Sequence, residues 1–301
     1  ILFKGGEDAK NIESLSALLK CMMTSHLNRE SQLVLIGGGA FLDLASFACS
    51  LYHRGINFYT VPTTLLSMVD VCVGGKNGIN FGGVKNQIGT FTSSKGVFVI
   101  PSFLKTLNEF QMRDGMVELL KHFMICDKEQ MLLKYDEFNM DLLKQSIQIK
   151  KEIVEKDFHE KGLRRILNIG HTIAHGLEAY FSKKGRPLSH GEAVLIGLVI
   201  ETLIAEEKDI AKKGTAGEIN EIFKKFHLRP PILSSFDFVS SLEFKNFLLL
   251  DKKNKDAHVI FMSFLQEIGK AAKGEDALSY RYPVTIDEIE RAFQSYQLFL
   301  A

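Results

Sequence analysis

The first hundred residues alternate short apolar runs with helical patterns, and this alternation constrains the fold more than any other feature of the chain. QLVLIGGG at 32–39 predicts a strand that enters a glycine turn, and AFLDLASFACSLYHRG at 40–55 predicts a helix. INFYTVP at 56–62 and KGVFVIP at 95–101 predict two further strands. Because strands that alternate with helices are usually parallel neighbours, the pattern predicts an α/β domain with a parallel sheet.

From about residue 103 the pattern changes to long amphipathic segments. MDLLKQSIQIKKEIVEKD at 140–157 and HGEAVLIGLVIETLIAEEKDIAKKG at 190–214 both have the periodicity of helices. We therefore predict a boundary after residue 102, with an α/β domain at 1–102 and a mainly helical domain at 103–301.

The chain holds 37 basic and 36 acidic residues, so it has no global charge signature for nucleic acid or for an anionic membrane surface. Its longest strongly apolar run, AVLIGLVI at 193–200, is far shorter than the roughly 20 residues that span a bilayer. Four scattered cysteines lack CxxC spacing, which favours a reduced, cytoplasmic protein. We expect neither a nucleic-acid partner nor a membrane partner.

A glycine turn follows the first predicted strand. The backbone of Gly37, Gly38 and Gly39 can approach a pyrophosphate closely, but a tight strand-to-helix turn explains the same glycines, since the spacing is not GxGxxG. Asp43 follows at a distance suited to a ribose or nicotinamide group, or it is a solvated acid that complements the helix dipole. The residues leave both interpretations open.

The segment VDVCVGGKNGINFGGVKNQIG at 69–89 predicts a flexible or tightly turned glycine-rich loop. Asp70, Lys76, Lys85 and Asn86 give this loop an acid, two cations and an amide. Lysines on a glycine-rich backbone can surround a phosphate with charge and N–H donors. The alternative is a surface loop whose lysines have no ligand.

NIGHTIAHGLE at 168–178 places His171 and His175 on one face of a predicted helix. Thr172 stands where the zinc-peptidase pattern has a glutamate, so the base of that mechanism is missing. The spacing alone therefore allows a metal pair, a catalytic pair or two packed histidines.

Two other segments offer polar side chains beside apolar runs. Glu118 precedes Lys121 by three residues, which predicts either an ordinary ion pair or two groups that reach into a cleft. His190 precedes a strongly apolar helix, and a histidine just before a helix is usually a cap or boundary residue.

An ordered set of motifs closely resembles the 3-dehydroquinate synthase family of sugar-phosphate cyclases. GGG…D, VPTTLLSMVD, VGGKNGIN, GGVKNQIG, FLKTL, GMVELLKH, LRRILNIGHTIAHGLE, SHGEAV and DKKN occur in one order between about Glu7 and Gly269. The resemblance implies a Rossmann-like NAD-binding α/β domain at 1–102 and a mainly α-helical metal-binding domain at 103–301.

The resemblance also implies an activity. Members of the family convert 3-deoxy-D-arabino-heptulosonate 7-phosphate to 3-dehydroquinate and phosphate in the shikimate pathway. NAD is reduced transiently and ends unchanged, and a divalent metal, Zn2+ or Co2+, assists the oxidation that precedes phosphate elimination and aldol cyclisation. A homodimer is implied because Arg54 matches an arginine that reaches the site of the neighbouring subunit.

Site residues follow from matching motif to motif. The implied metal ligands are Glu118, His171 and His190. The implied catalytic residues are His175, Lys76, Lys121, Asp70, Asn86 and Glu160. The implied substrate contacts are Arg54, Asp70, Lys76, Asn86, Lys121, Lys150, Arg164, Asn168, His175, Lys252 and Lys253. The implied NAD contacts are Glu7, Lys10, Gly38, Gly39, Asp43, Thr63, Thr64, Lys85, Phe103, Leu104, Lys105, Thr106 and Asp114.

Some residues depart from the usual family pattern, although none of them removes a ligand or a catalytic group. They are Cys72, Asn77, Ile100, Asp114 and Ala174. Relatives also carry several tens of residues before the segment GGEDAKNIESL. We therefore expect a longer chain that binds NAD more tightly than these residues alone.

Three other functions compete with this one. Lys150, Arg164 and Asn168 favour the dehydroquinate branch over another cyclase, such as a valiolone synthase, because a carboxylated substrate needs extra cationic and amide partners. A metal-dependent glycerol or alcohol dehydrogenase shares the fold but does not need the loop lysines. A homologue that only binds nucleotide is expected to have lost part of the set.

Overall fold

The computed structural model describes residues 2, 3, 5–82, 84–126, 132, 134–231, 233, 235–249, 259–274 and 280–300. The chain forms two compact units. The first unit is Ile1–Gly115 with Lys150–His159, and the second unit is Met116–Ile149 with Glu160–Ala301. Compactness does not show which segments fold by themselves, so the domain boundary after residue 102 stays a prediction. Lys252 and Lys253 lie outside the described residues.

The first unit combines a parallel sheet with helices. Its sheet has the strand order β1-β2-β5, and both pairs of neighbours are parallel. This confirms the α/β pattern that the sequence predicts. Along the chain the elements are α1 (Ile12–Thr24), β1 (Gln32–Gly37), α2 (Gly39–Leu51), β2 (Asn57–Pro62), β3 (Lys76–Phe81), β4 (Val84–Phe91) and β5 (Gly96–Val97).

The core of the first unit lies between the sheet and these helices. Leu35 of β1 and Phe58 of β2 share one buried cluster with Leu42 and Phe47 of α2. Burial of such large apolar side chains contributes about 1.5–3 kcal/mol each. This packing fixes where β1 and β2 end, and therefore where the glycine turn lies.

The segment at 69–89 is a β-hairpin in most of its length, so the predicted loop is wrong. Strands β3 and β4 pair antiparallel, with Gly78 opposite Gly89. A Cβ at Gly89 would lie 2.0 Å from the carbonyl oxygen of Asn77, and one at Gly78 would lie 2.5 Å from that of Ile88. The two glycines permit a close approach of the strands, while Gly82 supplies a positive φ at the turn.

The second unit is mainly helical, as predicted. Its strands are short and antiparallel, and they pair β6 with β9 and β7 with β8. Two of the helices, α3 and α4, have residues in both units. The elements from residue 109 onward are α3 (Glu109–Ile125), α4 (Met140–Lys156), α5 (His171–Lys183), α6 (His190–Glu207), α7 (Thr215–Lys225), α8 (Leu242–Leu249), β6 (Ile260–Met262), β7 (Leu265–Glu267), β8 (Lys270–Ala271), β9 (Tyr282–Val284) and α9 (Ile286–Leu300).

Helices α5 and α6 pack unusually closely at their contact. A Cβ on Gly197 of α6 would lie 2.0 Å from the carbonyl oxygen of Gly170, the residue before α5. Helix α6 is buried along most of its length, including Ile196, Leu198 and Ile200. Within the described ranges, no helix combines the length and the apolar character needed to cross a membrane.

Candidate metal and nucleotide sites

Three side chains of the second unit converge as a possible metal site. Glu118 lies on α3 and is fully buried, whereas His171 and His190 are the first residues of α5 and α6. The Oε1 atom of Glu118 is 3.5 Å from Nε2 of His171 and 3.6 Å from Nε2 of His190. Tetrahedral zinc, with bonds of about 2.0–2.1 Å to nitrogen and oxygen, spaces its ligand atoms by about 3.4 Å. The three side chains therefore fit a divalent ion in chemistry and in spacing.

His175 follows His171 by one helical turn and faces the same side. The two rings meet edge to face, with centroids 5.5 Å apart, while the rings of His171 and His190 are 5.4 Å apart. His175 therefore lies beside the ring of a possible ligand, within reach of a molecule bound there.

Lys121 forms an ion pair with the carboxylate of Glu118. Its Nζ atom lies 2.5 Å from Oε2 of Glu118 and donates a 2.7 Å hydrogen bond to the carbonyl oxygen of Leu167. The ion pair that the i, i+3 spacing predicts is present, but both side chains are almost completely buried. An exposed helix pair contributes little, whereas removing one member of a buried pair leaves a costly unpaired charge.

His190 contacts two carboxylates. Its Nδ1 atom is 3.4 Å from Oε1 of Glu178, on the side of the ring opposite the nitrogen that faces Glu118. Burial lowers the pKa of His190, but hydrogen bonds to Glu118 and Glu178 outweigh it and raise the pKa to about 10. The surroundings therefore favour a positive charge at this position, which a proton or a metal ion supplies.

Ser189, rather than His190, caps α6. The Ser189 hydroxyl accepts from the amide of Glu192, and the Glu192 side chain accepts from the amide of Ser189. This capping box satisfies the first amides of the helix and leaves the imidazole of His190 to face Glu118.

The first unit brings together four predicted residues, which are Lys10, Glu7, Asp43 and Asn86. Lys10 is 3% exposed. Its Nζ atom lies 2.5 Å from Oδ2 of Asp43 and also donates to the side chain of Asn86. Asn80, which sequence reasoning missed, donates to Glu7 at 2.8 Å and accepts from the amide of Asn86 at 2.9 Å.

Asp43 has an unusual acidity despite this cation. Burial raises the pKa of its carboxyl group to about 6, against the lowering effect of Lys10. The residue is therefore not the solvated first-turn acid that the sequence left open.

The glycine turn and the next strand end side by side. The amide of Thr63 donates a 2.9 Å hydrogen bond to the carbonyl of Gly37. A Cβ on Gly38 would lie 3.3 Å from the methyl group of Thr64, and one on Gly39 would lie 2.9 Å from Val71. These residues lie at the carboxyl ends of β1 and β2, the edge where parallel sheets bind nucleotides.

Lys150 and Asp70, both predicted to contact substrate, form an ion pair in the first unit. The Nζ atom of Lys150 also donates a 2.6 Å hydrogen bond to the carbonyl of Asp70. In the second unit the side chain of Asn168 donates a 2.5 Å hydrogen bond to Glu160. Arg164, four residues before Asn168 in the chain, is buried, with 2% of its surface exposed.

The remaining predicted residues differ in exposure. Arg54, Lys76 and Lys85 are exposed, and Asp114 is half-buried on α3. Phe103, Leu104, Lys105 and Thr106 form part of a 3-10 helix, Pro101–Thr106.

Sequence reasoning missed two buried glutamates beside the possible ligands, Glu178 on α5 and Glu201 on α6. Glu178 follows His171 by seven residues, which is two helical turns, so the shared helical face was a usable signal. Glu201 interrupts the apolar run VIETLI, and an acid inside a buried helix requires a partner.

Comparisons with known proteins agree with this architecture. The family model of the 3-dehydroquinate synthase N-terminal domain matches residues 1–114, and that of the C-terminal domain matches residues 115–254. The 3-dehydroquinate synthase of Campylobacter concisus is 38% identical over 283 residues, covering 91% of this chain and 80% of that protein.

Two solved structures share the fold. A 2-deoxy-scyllo-inosose synthase, complexed with carbaglucose-6-phosphate, NAD+ and Co2+, has a TM-score of 0.84 at 24% identity and covers 97% of this chain and 82% of its own. The 2-epi-5-epi-valiolone synthase from Streptomyces hygroscopicus subsp. jinggangensis, with NAD+ and Zn2+ bound, has a TM-score of 0.81 at 26% identity and covers 97% and 81%. The fold is therefore that of the sugar-phosphate cyclases. Within this class, the chain belongs to the 3-dehydroquinate synthase family.

Proposed function

We infer that this chain catalyses the 3-dehydroquinate synthase reaction, from 3-deoxy-D-arabino-heptulosonate 7-phosphate to 3-dehydroquinate and phosphate. The observation that carries this inference is the buried set of Glu118, His171 and His190 in a chain of that family. A family member that had lost the activity would not need to keep these three groups within ligand distance of one another.

Glu118, His171 and His190 would hold one divalent ion, Zn2+ or Co2+. When bound, such an ion polarises adjacent substrate hydroxyl groups and lowers the pKa of one of them. The 3.5 and 3.6 Å spacings support this assignment, as does the zinc in the valiolone synthase structure. Lys121 holds the carboxylate of Glu118 in place through its buried ion pair.

NAD would bind in the first unit, at the carboxyl ends of β1 and β2. When bound, NAD accepts a hydride and later returns it, so that it ends unchanged. The turn at Gly38 and Gly39 would let the backbone approach a pyrophosphate, next to Thr63 and Thr64 at the end of β2. The further contacts proposed are Glu7, Lys10, Asp43, Lys85, Phe103, Leu104, Lys105, Thr106 and Asp114.

The substrate carries a phosphate and a carboxylate, and the proposed contacts match these groups. Lysine and arginine side chains form charge-assisted hydrogen bonds to such oxygens. Asn168 is oriented by Glu160, and His175 is the proposed proton-transfer group because its ring lies next to His171. The full proposed set is Arg54, Asp70, Lys76, Asn86, Lys121, Lys150, Glu160, Arg164, Asn168, His175, Lys252 and Lys253.

We further propose a cytoplasmic homodimer. Arg54 is exposed and would reach the site of a second copy. Cys21, Cys49 and Cys72 carry free thiols, which supports a reducing compartment.

Turnover tests the proposed function directly. Inorganic phosphate and nicotinamide absorbance are followed together while the enzyme acts on the seven-carbon sugar phosphate, with substoichiometric NAD. We expect phosphate release over many turnovers without lasting NADH, because the hydride is returned. NADH that accumulates in step with product would instead identify a dehydrogenase.

A further inference from the structure

Two buried glutamates connect the helices that begin with the histidine ligands. Glu178 lies on α5, which begins at His171, and Glu201 lies on α6, which begins at His190. Their side chains are 4% and 0% exposed. A buried carboxylate is costly unless it accepts hydrogen bonds, so each one points to a specific partner.

Glu201 caps the helix that begins at His171. Its Oε2 atom accepts from the amide of Gly170 at 2.6 Å, and its Oε1 atom accepts from the amide of Ile173 at 2.9 Å. The amides at the start of a helix normally bond to the side chain of the N-cap residue, but the N-cap here is Gly170, which has none. Glu201 of the neighbouring helix therefore accepts from amides on both sides of His171, those of Gly170 and Ile173.

The close contact of α5 and α6 makes this cap possible. Gly197 lies four residues before Glu201 on the same face of α6, and a Cβ there would lie 2.0 Å from the oxygen of Gly170. Because no side chain separates the helices at Gly197, the side chain of Glu201 reaches the backbone amides at the start of α5.

Glu178 acts in the opposite direction, from α5 to α6. Its Oε1 atom lies 3.4 Å from Nδ1 of His190, while Nε2 of that ring faces Glu118. When Nδ1 donates to a carboxylate, the proton is held there and Nε2 keeps its lone pair for a metal.

We propose that Glu178 and Glu201 are positioning residues of the metal site, each fixing the histidine ligand at the start of the other helix. This proposal rests on the proposed function, because it takes Glu118, His171 and His190 as the ligands. It predicts that either glutamate affects metal affinity and ligand geometry without contacting the ion.

The chain offers a matched control. Glu206, also on α6, accepts a 2.7 Å hydrogen bond from the amide of Ala216 at the start of α7, whose N-cap is likewise a glycine, Gly214. Glu206→Gln therefore weakens the same kind of cap, by removing its charge, at a helix that carries no proposed ligand.

The experiment measures zinc affinity by competition with a chromogenic chelator and records the visible spectrum of the cobalt-substituted protein. We expect Glu178→Gln and Glu201→Gln to bind zinc roughly 10–100-fold more weakly than wild type and to shift the cobalt bands. Glu206→Gln should lower the thermal midpoint while both metal readouts stay unchanged. A purely structural role for Glu178 and Glu201 predicts that all three variants lower the thermal midpoint and leave zinc affinity and the cobalt spectrum unchanged. That outcome would overturn the proposal.

Loss of folding in a variant and loss of zinc binding in wild type have separate consequences for the proposal. If Glu201→Gln loses its helical circular dichroism signal, the metal affinity of Glu178→Gln alone tests the proposal. Glutamine at position 178 still offers an oxygen to Nδ1 of His190, so this variant removes only the charge. A wild-type protein that binds no zinc would reject the ligand set and the proposed function together. Zinc bound equally well by wild type and both variants would reject only the positioning role.

Discussion

Asp43 is a largely buried acid, with 16% of its side chain exposed, and its ionisation opposes folding. The pKa of its carboxyl group is about 6 in the fold, above the ordinary value of 3.8, because burial outweighs the attraction of Lys10. The folded state therefore binds this proton more tightly than the unfolded state does. The resulting stability is complete below the unfolded pKa and is lost as pH rises through about 6.

We expect Asp43→Asn to remove this pH dependence. The difference in free energy of unfolding between variant and wild type should move in favour of the variant from about pH 4 to about pH 7. Urea unfolding at a series of pH values measures it. Parallel curves for the two proteins would show that burial does not control this carboxyl group.

His171 and His175 share one helical face, yet we expect different outcomes from their removal. His171→Ala should lose the bound ion, because it deletes one of three ligands. His175→Ala should keep one ion per chain and lose turnover instead, because it deletes the proposed proton-transfer group. Elemental analysis and phosphate release separate the two effects. Equal metal content in wild type and His171→Ala would reject the ligand set.

Only part of the site could be predicted from residue spacing. Spacing placed His171 and His175 together but could not choose between them, and the choice came from family resemblance. Glu201 was missed because its partners, the amides of Gly170 and Ile173, are about thirty residues away along the chain. Sequence periodicity records which face of a helix is apolar and does not record which backbone groups meet that face.

At the scale of elements, the hairpin of β3 and β4 depends on its glycines. We expect Gly89→Ala to destabilise the protein by about 1–3 kcal/mol, because a Cβ would lie 2.0 Å from the oxygen of Asn77. Gly217→Ala on α7 is the control, since no atom lies within 4 Å of its added Cβ. That change should stabilise the helix by about 0.5–1 kcal/mol.

Denaturant unfolding of the two variants measures both free energies. A stability of Gly89→Ala equal to that of wild type would mean that the strands separate without cost at this position.

The same hairpin shows why some elements were not predictable. Clustered glycines normally indicate a loop, and their second use, close approach of two backbones, becomes visible only once the partner strand is known. The strand expected at 95–101 is shorter, Gly96–Val97, although Lys95 and Phe98 also donate backbone hydrogen bonds to β2. A 3-10 helix begins at Pro101. By contrast, β1, β2 and α2 match their predictions closely, because their apolar patterns are set by one shared core.

At the scale of the whole molecule, the proposed dimer makes a strict prediction. Arg54→Ala and His171→Ala should each be inactive alone. After mixing and subunit exchange, a heterodimer holds one site with both residues intact, so activity should recover to about one quarter of wild type. Sedimentation of each variant as a dimer is the control. No recovery in a mixture that exchanges subunits would show that Arg54 serves its own chain.

The general plan of two compact units, one α/β and one mainly helical, was accessible from sequence because it depends on the change of apolar period near residue 103. The position of the division was less accessible. The first unit includes Lys150–His159, a segment that returns after thirty-four residues of the second unit, Met116–Ile149. No local sequence pattern marks this return, since α4 continues without a break from Ile149 of the second unit to Lys150 of the first.

Both proposed histidine ligands, His171 and His190, are the first residues of their helices, and this has an electrostatic consequence. The start of an α-helix carries a partial positive charge of about half a unit, from the aligned dipoles of its peptide groups. The positive ends of α5 and α6 therefore lie near the carboxylate of Glu118, since the side chain of each first residue approaches its Oε1 atom. Negative charge that develops on a substrate bound at the proposed site would meet this fixed field. At the proposed site the backbone itself would favour removal of a proton from a substrate hydroxyl group.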